Sequence, residues 1–248
     1  METYSRFFIE NKISDDETEI VISDFAQAHK ISKVLRRKKG DKLIILDNSG
    51  LEFLCEIKQV TDKLVLLKIL ERRENENDPK LRVVLYQSIV KKDKMDLVFE
   101  KCTEVGVSEF HPLLSEHSVK LAFKGERAEK ILKEASEQSR RGKMPKLFKT
   151  EKFGAVIKNT NKENINIIFH EKEKGNFLID FLINNREMIQ KENKEINLFV
   201  GPEGGFSEEE IGVAMKNGFS VLSLGKRTLR AETAAIFSSS LVLSFDKE

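Results

Sequence analysis

The spacing of apolar positions changes about one third of the way along the chain. In the first part the apolar residues fall in short runs typical of β-strands, at Lys42–Asp47, Phe53–Ile57 and Leu64–Ile69. A turn cluster, Asn48–Gly50, separates the first two runs. Short strands joined by tight turns predict a meander or a small barrel.

One helix is predicted ahead of these strands. Ser23 and Asp24 offer an N-cap, and Gly40 follows a segment rich in Lys and Arg, which suits the negative pole of a helix dipole. Between them the apolar residues recur at helical spacing, at Phe25, Ala28, Ile31 and Leu35. The pattern therefore predicts a helix that begins near residue 25 and ends before Gly40.

A polar stretch, Glu71–Pro79, divides the chain. It contains no apolar residue to bury and ends at a proline, which disfavours helical geometry in the residue before it. We therefore place a domain boundary here, with residues 1–72 forming the first domain and residues 73–248 the second.

In the second domain predicted strands alternate with predicted helices, which indicates a parallel α/β sheet. The strands are predicted at Leu81–Tyr86, Phe110–Leu114, Ile165–Phe169, Ile196–Val200 and Phe219–Leu224. The helices are predicted around Met95–Val105, Ala128–Ala135, Phe177–Ile189, Ser207–Asn217 and Ala231–Phe245. Gly106 is in position to end the first of these helices.

Charge and composition narrow the possible functions. The 43 Lys and Arg residues nearly balance the 41 Asp and Glu residues, so affinity for nucleic acid requires local basic patches. No apolar run approaches the roughly 20 residues of a membrane-spanning helix. The N-terminal segment lacks the apolar core of a secretory signal. We therefore expect a cytoplasmic protein that does not enter membranes.

The cysteines and histidines do not indicate a metal site. Cys55 and Cys102 are too few for a disulfide framework or a four-cysteine zinc site, and each is predicted to be a small core residue. The four histidines lack the spacing of metal ligands. They are His29, His111, His117 and His170.

The strongest local motif is a predicted strand that runs into a glycine-rich turn, Gly201–Phe206, and then into a helix. Gly201, Gly204 and Gly205 can adopt positive φ and let a ligand approach the main chain. The next helix opens with a predicted capping box, in which Ser207 pairs with the glutamate three residues later. Neither a Walker A loop nor a dinucleotide fingerprint is present. From the glycines alone, a tight connection without a ligand is as well supported as a binding loop.

A second motif of this kind follows about twenty residues later. The segment Leu222–Gly225 again ends a strand at a glycine, and after a basic loop the segment Leu229–Ala235 begins a helix with small residues. Two such strand ends suggest one composite pocket. Two ordinary loops are the alternative.

These motifs, GPEGGF at 201–206, LSLG at 222–225 and LRAETAA at 229–235, resemble the cofactor loops of the RsmE family of 16S ribosomal RNA uridine-N3 methyltransferases. Segments in both predicted domains are also similar to the family, including EKCTEVG at 100–106 and EQSRRGKMP at 137–145. The resemblance covers nearly the whole chain. It implies a smaller N-terminal PUA-like β-barrel domain and a C-terminal α/β domain of the SPOUT trefoil-knot class.

The resemblance also implies a cofactor, S-adenosyl-L-methionine, held largely by main-chain groups. The implied cofactor-binding residues are Phe199, Val200, Gly201, Pro202, Glu203, Gly204, Leu222, Leu224, Gly225, Leu229, Arg230, Thr233, Ala234 and His170. Nearest to the chemistry we place Arg230, Glu232 and Arg141, and we leave the general base unassigned. The alternatives are a SPOUT enzyme that methylates a ribose 2′-oxygen or another base, and a non-catalytic RNA-binding assembly protein.

The implied partner is 16S ribosomal RNA or the small ribosomal subunit. Five cations lie in the seven residues Lys33–Lys39, which by charge alone is more typical of a solvated helix end than of an RNA site. With the resemblance, the predicted RNA-binding residues are Arg6, His29, Arg36, Arg37, Lys38 and Arg141. The family resemblance further implies a homodimer.

Overall fold

The computed structural model describes residues 4–119, 125–191 and 194–246. The chain divides into two compact units. The first contains residues up to Asp78 together with Ser136–Met144, and the second contains Pro79–Ala135 and the residues from Pro145 onward. Compactness does not test independent folding, so the division into domains 1–72 and 73–248 stays a prediction.

The first unit is built on a five-stranded sheet with the order β1-β3-β4-β5-β2. Its strands are β1 Ser5–Phe8, β2 Glu19–Ile22, β3 Lys42–Leu46, β4 Leu51–Val60 and β5 Val65–Glu74. Strands β3 to β5 form the predicted antiparallel meander. The two strands that were not predicted, β1 and β2, have only four residues each, the shortest length at which alternation indicates a strand.

The helix of the first unit is shorter than predicted. Helix α1, Phe25–His29, begins at the expected cap, Asp24, and continues into a π-helical turn, Lys30–Val34. The predicted end at Gly40 is wrong, because Arg36 adopts a left-handed conformation with φ of 51° and turns the chain out of the helix.

The second unit contains a seven-stranded parallel sheet with the order β12-β10-β11-β6-β7-β8, and β9 also pairs with β7. The strands are β6 Arg82–Ser88, β7 Glu109–Leu114, β8 Lys146–Leu147, β9 Glu151–Lys152, β10 Ile165–Phe169, β11 Glu195–Val200 and β12 Ser220–Leu222. All of the predicted strands are present, and the predicted parallel sheet is confirmed.

Seven helices accompany this sheet in the described part of the chain. They are α2 Lys92–Val105, α3 Gly125–Gln138, α4 Phe153–Asn159, α5 Leu178–Asn184, α6 Arg186–Ile189, α7 Glu208–Lys216 and α8 Ala231–Leu243. The helix predicted at Phe177–Ile189 is in fact two, because Asn185 leaves helical geometry between α5 and α6. Helix α4 was not predicted. None of the helices described is long and apolar enough to cross a bilayer.

The apolar stripe of α2 packs into the core of the second unit as predicted. Met95, Val98, Phe99 and Cys102 are buried, and Gly106 ends the helix at a φ of 111°. A side chain at Gly106 would lie 2.4 Å from Pro79, so both space and backbone geometry require glycine there.

Both cysteines are core residues, as predicted. Cys55 in β4 and Cys102 in α2 are fully buried and unpaired. Burial raises the pKa of both thiols to about 12, which keeps them protonated and unreactive near neutral pH.

Candidate functional site

The strand order of the parallel sheet brings three carboxyl ends together. Strand β10 lies between β12 and β11, so Phe169, Val200 and Leu222 end at the same edge of the sheet. After β11 the chain crosses β10 before it adds β12, which creates a switch point of the kind where open α/β sheets bind ligands. An open cleft with a cavity volume of about 110 Å³ lies at this edge.

The two motifs predicted to form one pocket both line this cleft. The residues predicted from the resemblance that line it are His170, Val200, Gly201, Pro202, Glu203, Leu224, Gly225, Leu229 and Ala234. A further group of lining residues was not among the predicted cofactor-binding residues, namely Phe169, Glu171, Gly205, Ser223, Lys226, Arg227, Thr228 and Ala231. Most of these flank a predicted residue in the chain and lie in the same loops.

Five other predicted cofactor residues do not line the cleft. The side chains of Phe199 and Leu222 are buried in two different core clusters, and Arg230 and Thr233 are exposed to solvent. Gly204 lies against the ring of His117, where an added Cβ would be 3.1 Å from the histidine Cβ.

The glycines of the first motif have different roles. Of the three expected to adopt positive φ, only Gly205 does so, at 69°. Gly201 is required for space, because an added Cβ would lie 3.1 Å from the backbone nitrogen of Phe206. On the other side of the cleft Gly225 has a φ of 129°, which L-residues rarely adopt.

A segment that precedes α3 in the chain supports the glycine-rich turn from behind. The imidazole Nδ1 of His117 lies 3.2 Å from the carbonyl oxygen of Gly204 and 3.1 Å from that of Gly205. The predicted capping box is confirmed, since Ser207 and Glu210 exchange both hydrogen bonds. Glu210 also accepts a hydrogen bond of 2.9 Å from the backbone N–H of Glu116. Sequence reasoning missed this support, because nearly 90 residues separate the partners.

His170 forms part of the wall of the cleft. Its backbone N–H donates to the carbonyl of Leu222 at 3.1 Å, and its Nε2 lies 3.7 Å from a carboxylate oxygen of Glu208. The same oxygen accepts from Lys172 at 2.6 Å. The hydrogen bond from Lys172 holds the pKa of the exposed Glu208 carboxyl below its usual value. An ionised Glu208 therefore faces the outer side of the imidazole.

Glu232 is buried and does not itself line the cleft, although Ala231 and Ala234, on either side of it in the chain, do. It lies in the first turn of α8, where the helix dipole favours a carboxylate. Its Oε1 lies 3.3 Å from the Nζ of Lys94 in the first turn of α2. Lys94 was not among the predicted site residues.

Arg141 lies in the first unit and is buried in an ion pair. Its Nε donates to Asp78 at 2.9 Å, and the second oxygen of Asp78 accepts from the backbone N–H groups of Gly142 and Lys143, each also at 2.9 Å. This network fixes the loop that follows α3. Whether Arg141 also contacts RNA or a reacting group stays a prediction.

The predicted RNA-binding residues differ in how freely they can contact a partner. The side chains of His29, Arg36 and Lys38 are exposed. By contrast Arg6 is largely buried and forms an ion pair with Glu52.

Arg37 is intermediate in exposure. One of its terminal guanidinium nitrogens donates to the hydroxyl of Ser5 at 3.0 Å, which ties the basic segment to the start of β1.

Family models match both units. Residues 76–243 match an RNA methyltransferase domain, and residues 22–70 match an RNA methyltransferase PUA domain. The chain is also 30% identical over 235 residues to the Ribosomal RNA small subunit methyltransferase E of Rickettsia conorii, covering 94% of this chain and 92% of the relative. This chain belongs to that RNA methyltransferase family. The equivalent protein of Bacillus subtilis is 29% identical, over 96% of this chain and 95% of the relative.

Solved structures of family members have the same fold. Ribosomal RNA small subunit methyltransferase E from Neisseria gonorrhoeae, bound to S-adenosyl methionine, superposes with a TM-score of 0.84 at 27% identity, covering 96% of this chain and 95% of that one. A Legionella pneumophila methyltransferase in complex with the same cofactor gives 0.85 at 28% identity, over 98% of both chains. The predicted fold class, a SPOUT methyltransferase domain with an N-terminal PUA-like domain, is therefore confirmed.

Proposed function

We propose that this family member is an S-adenosylmethionine-dependent methyltransferase that methylates N3 of a specific uridine in 16S ribosomal RNA. The observation that carries the proposal is the cleft at the ends of β10, β11 and β12, where two glycine-bearing loops meet. Two solved family members of closely similar fold hold this cofactor. The uridine N3 specificity comes from the family resemblance.

The residues of the cleft fit such a cofactor. Gly225 leaves the main chain uncovered, because an added Cβ there would have no atom within 4 Å, and Leu224, Leu229 and Ala234 add apolar surface for an adenine ring. S-adenosylmethionine supplies an electrophilic methyl group on sulfur. The chain therefore has only to bind and orient the cofactor and the substrate and to stabilise the charge that develops. The exposed Glu203 and the buried Ser223 add polar groups to the lining.

The substrate imposes one further requirement. N3 of uridine belongs to a weakly acidic imide and must lose its proton to attack, which calls for a proton acceptor or a cation near the flanking carbonyl oxygens. Arg230 at the N-cap of α8 and Glu232 in its first turn are the polar groups that we place nearest to this chemistry from the family resemblance. We retain Arg141 as a third predicted contributor.

For substrate binding we propose that the exposed cations Arg36 and Lys38, with His29, contact RNA phosphates, with the protein acting in the cytoplasm where ribosomes are assembled. We further propose a homodimer. Helices α5 and α8 leave Ile179, Ile183 and Phe237 exposed, a suitable apolar surface for a self-complementary interface. Light scattering at micromolar concentration tests this, and a monomer would contradict it.

The deciding experiment is a methylation assay with isotope-labelled S-adenosylmethionine and small ribosomal subunits from cells lacking this protein. Mass spectrometry of the nucleosides should identify N3-methyluridine at one position. A 2′-O-methylated nucleoside, or methylation of another base, would support the alternative SPOUT activity. A protein that binds RNA, transfers no methyl group and shows no binding of S-adenosylmethionine in calorimetric titration would instead be a non-catalytic RNA-binding protein.

A further inference from the structure

We propose that His117 is a positioning residue for cofactor binding, and that its Nδ1–H holds the glycine-rich turn in the conformation that lines the cleft. The inference rests on the proposed function and deepens it, because it names a residue outside the cleft on which cofactor affinity depends. It starts from the contact of one ring nitrogen with two carbonyl oxygens, that of Gly204 at 3.2 Å and that of Gly205 at 3.1 Å.

These two contacts determine which ring nitrogen of His117 carries a proton. A backbone carbonyl oxygen only accepts hydrogen bonds, so Nδ1 must be the donor to both oxygens. In the neutral imidazole only one nitrogen is protonated, and the hydrogen bonds that the ring makes decide which one it is. The structure therefore assigns the Nδ1–H tautomer to His117, which is a property that can be measured.

The glycine-rich turn needs a contact from outside to hold one conformation. Gly204 and Gly205 are consecutive glycines, whose backbones have the most conformations to lose on folding. The N–H of Gly205 donates to the carbonyl oxygen of Pro202 at 2.9 Å. In a trans peptide the N–H and the C=O point in opposite directions. The peptide that joins the two glycines is therefore bonded on both sides, and loss of His117 would release one of them.

The contact lies on the opposite side of the turn from the proposed cofactor. Gly201, Pro202, Glu203 and Gly205 line the cleft, whereas His117 does not. The two carbonyl oxygens are thus directed at a side chain outside the cleft. If they were released, the peptides could rotate and change the surface that the turn offers to the cofactor.

The segment that carries His117 is itself tied to the sheet. The backbone N–H of Ser115 donates to the Ser118 hydroxyl at 2.9 Å, and the Ser115 hydroxyl donates to that of Ser88, the last residue of β6, at 3.0 Å. The N–H of Val119 donates to the carbonyl of Ile89 at 3.2 Å. Strand β6 pairs with β11, which leads into the glycine-rich turn. The donor and its acceptors are therefore anchored to neighbouring strands.

The test uses three substitutions that branch at Cγ as histidine does. At the place of Nδ1, His117→Asn can offer an amide N–H, His117→Leu a methyl group and His117→Asp a carboxylate oxygen. Calorimetric titration with S-adenosylmethionine should show a loss of affinity of at least about fivefold in His117→Leu. The loss should be larger in His117→Asp, because a carboxylate repels the two carbonyl oxygens. His117→Asn should stay within about twofold of the wild type.

Steady-state kinetics separate this role from general support of the fold. Because His117 acts only through the turn, the KM for S-adenosylmethionine should rise in His117→Leu as the affinity falls. At saturating cofactor kcat should stay within about twofold of the wild type. A fold defect would lower kcat as well, and it would also lower the midpoint of urea unfolding.

The tautomer gives a readout that does not depend on the cofactor. Nitrogen NMR of the protein labelled with ¹⁵N-histidine, recorded at alkaline pH where imidazole is neutral, should show His117 protonated at Nδ1. The signal is assigned by its absence in His117→Asn.

Three results would overturn the inference. One is unchanged cofactor affinity in His117→Leu, and another is an Nε2–H tautomer at His117. The third is failure of His117→Asn to restore affinity while its urea unfolding matches that of the wild type. If the wild type itself did not bind S-adenosylmethionine, the proposed function would be overturned, and the inference with it.

Discussion

Two buried ion pairs in this chain differ in how fully their carboxylates are paired. In the first unit Asp78 accepts three hydrogen bonds, from Arg141 and from two backbone N–H groups. In the second unit Glu232 is more deeply buried than Asp78, yet its ion-pair partner is a single, partly exposed lysine. A carboxylate with three donors fixes a loop, whereas the position of one with a single ion-pair partner depends on that one contact.

The largest effect is expected when the fully paired site is broken. Asp78→Ala leaves the Arg141 guanidinium buried without this carboxylate and two backbone N–H groups without their acceptor. We expect a loss of about 3–5 kcal/mol in the free energy of unfolding. Urea unfolding measures it, with Asp62→Ala at an exposed turn as the control. A loss below about 1 kcal/mol would show that the pair is not structural.

The next largest effect is expected at Gly201 in the cleft, where an added side chain would press against the backbone. Gly201→Ala would place a Cβ 3.1 Å from the backbone nitrogen of Phe206, so the turn must open. We expect the affinity for S-adenosylmethionine to fall at least about tenfold, or about 1.4 kcal/mol. Gly212→Ala in α7 is the matched control, because its Cβ would enter open space. Calorimetric titration compares the two, and equal affinities would contradict the role assigned to Gly201.

A third buried carboxylate, Glu52, extends the comparison to the pH dependence of stability. Burial raises its pKa, but hydrogen bonds from Arg6, Arg73 and Asn75 outweigh burial and hold the pKa below the ordinary value of 4.5. Stability from this lowered pKa is fully present above pH 4.5 and is lost as pH falls through the lower, folded-state value. Arg6→Met should reduce this loss. Thermal unfolding between pH 6 and pH 2.5 measures it, and an unchanged dependence would contradict the assignment.

The smallest effect concerns the exposed cations. Replacing Arg36 or Lys38 by alanine should weaken the salt dependence of RNA binding. The slope of log affinity for RNA against log salt concentration should become smaller by about one unit or slightly less for each phosphate contact that is lost. The affinity for S-adenosylmethionine should not change. Lys63→Ala, at an exposed turn of the first unit, is the control. Filter binding across salt concentrations gives the slopes, and identical slopes for all the variants would exclude Arg36 and Lys38 from the RNA interface.

Local pattern predicted the elements of this protein well where a segment is long and strongly periodic. The stripe of α2, the strands β10 and β11 and the capping box at Ser207 were all predicted correctly, because each depends on residues within a few positions of one another. Errors arose where a short element or one backbone angle decided the outcome, as at β1 and at Arg36.

The sequence by itself determined the alternation of strands and helices, the two glycine-bearing loops and, through its motifs, the family. The tertiary structure alone decided which loop atoms meet. It placed β10 between β11 and β12, assigned positive φ to Gly205, and brought Lys94 to Glu232 across nearly 140 residues. Periodicity and capping are local properties that the sequence records directly. Contacts between distant segments depend on strand order and on the packing of whole faces, which the spacing of residues does not specify.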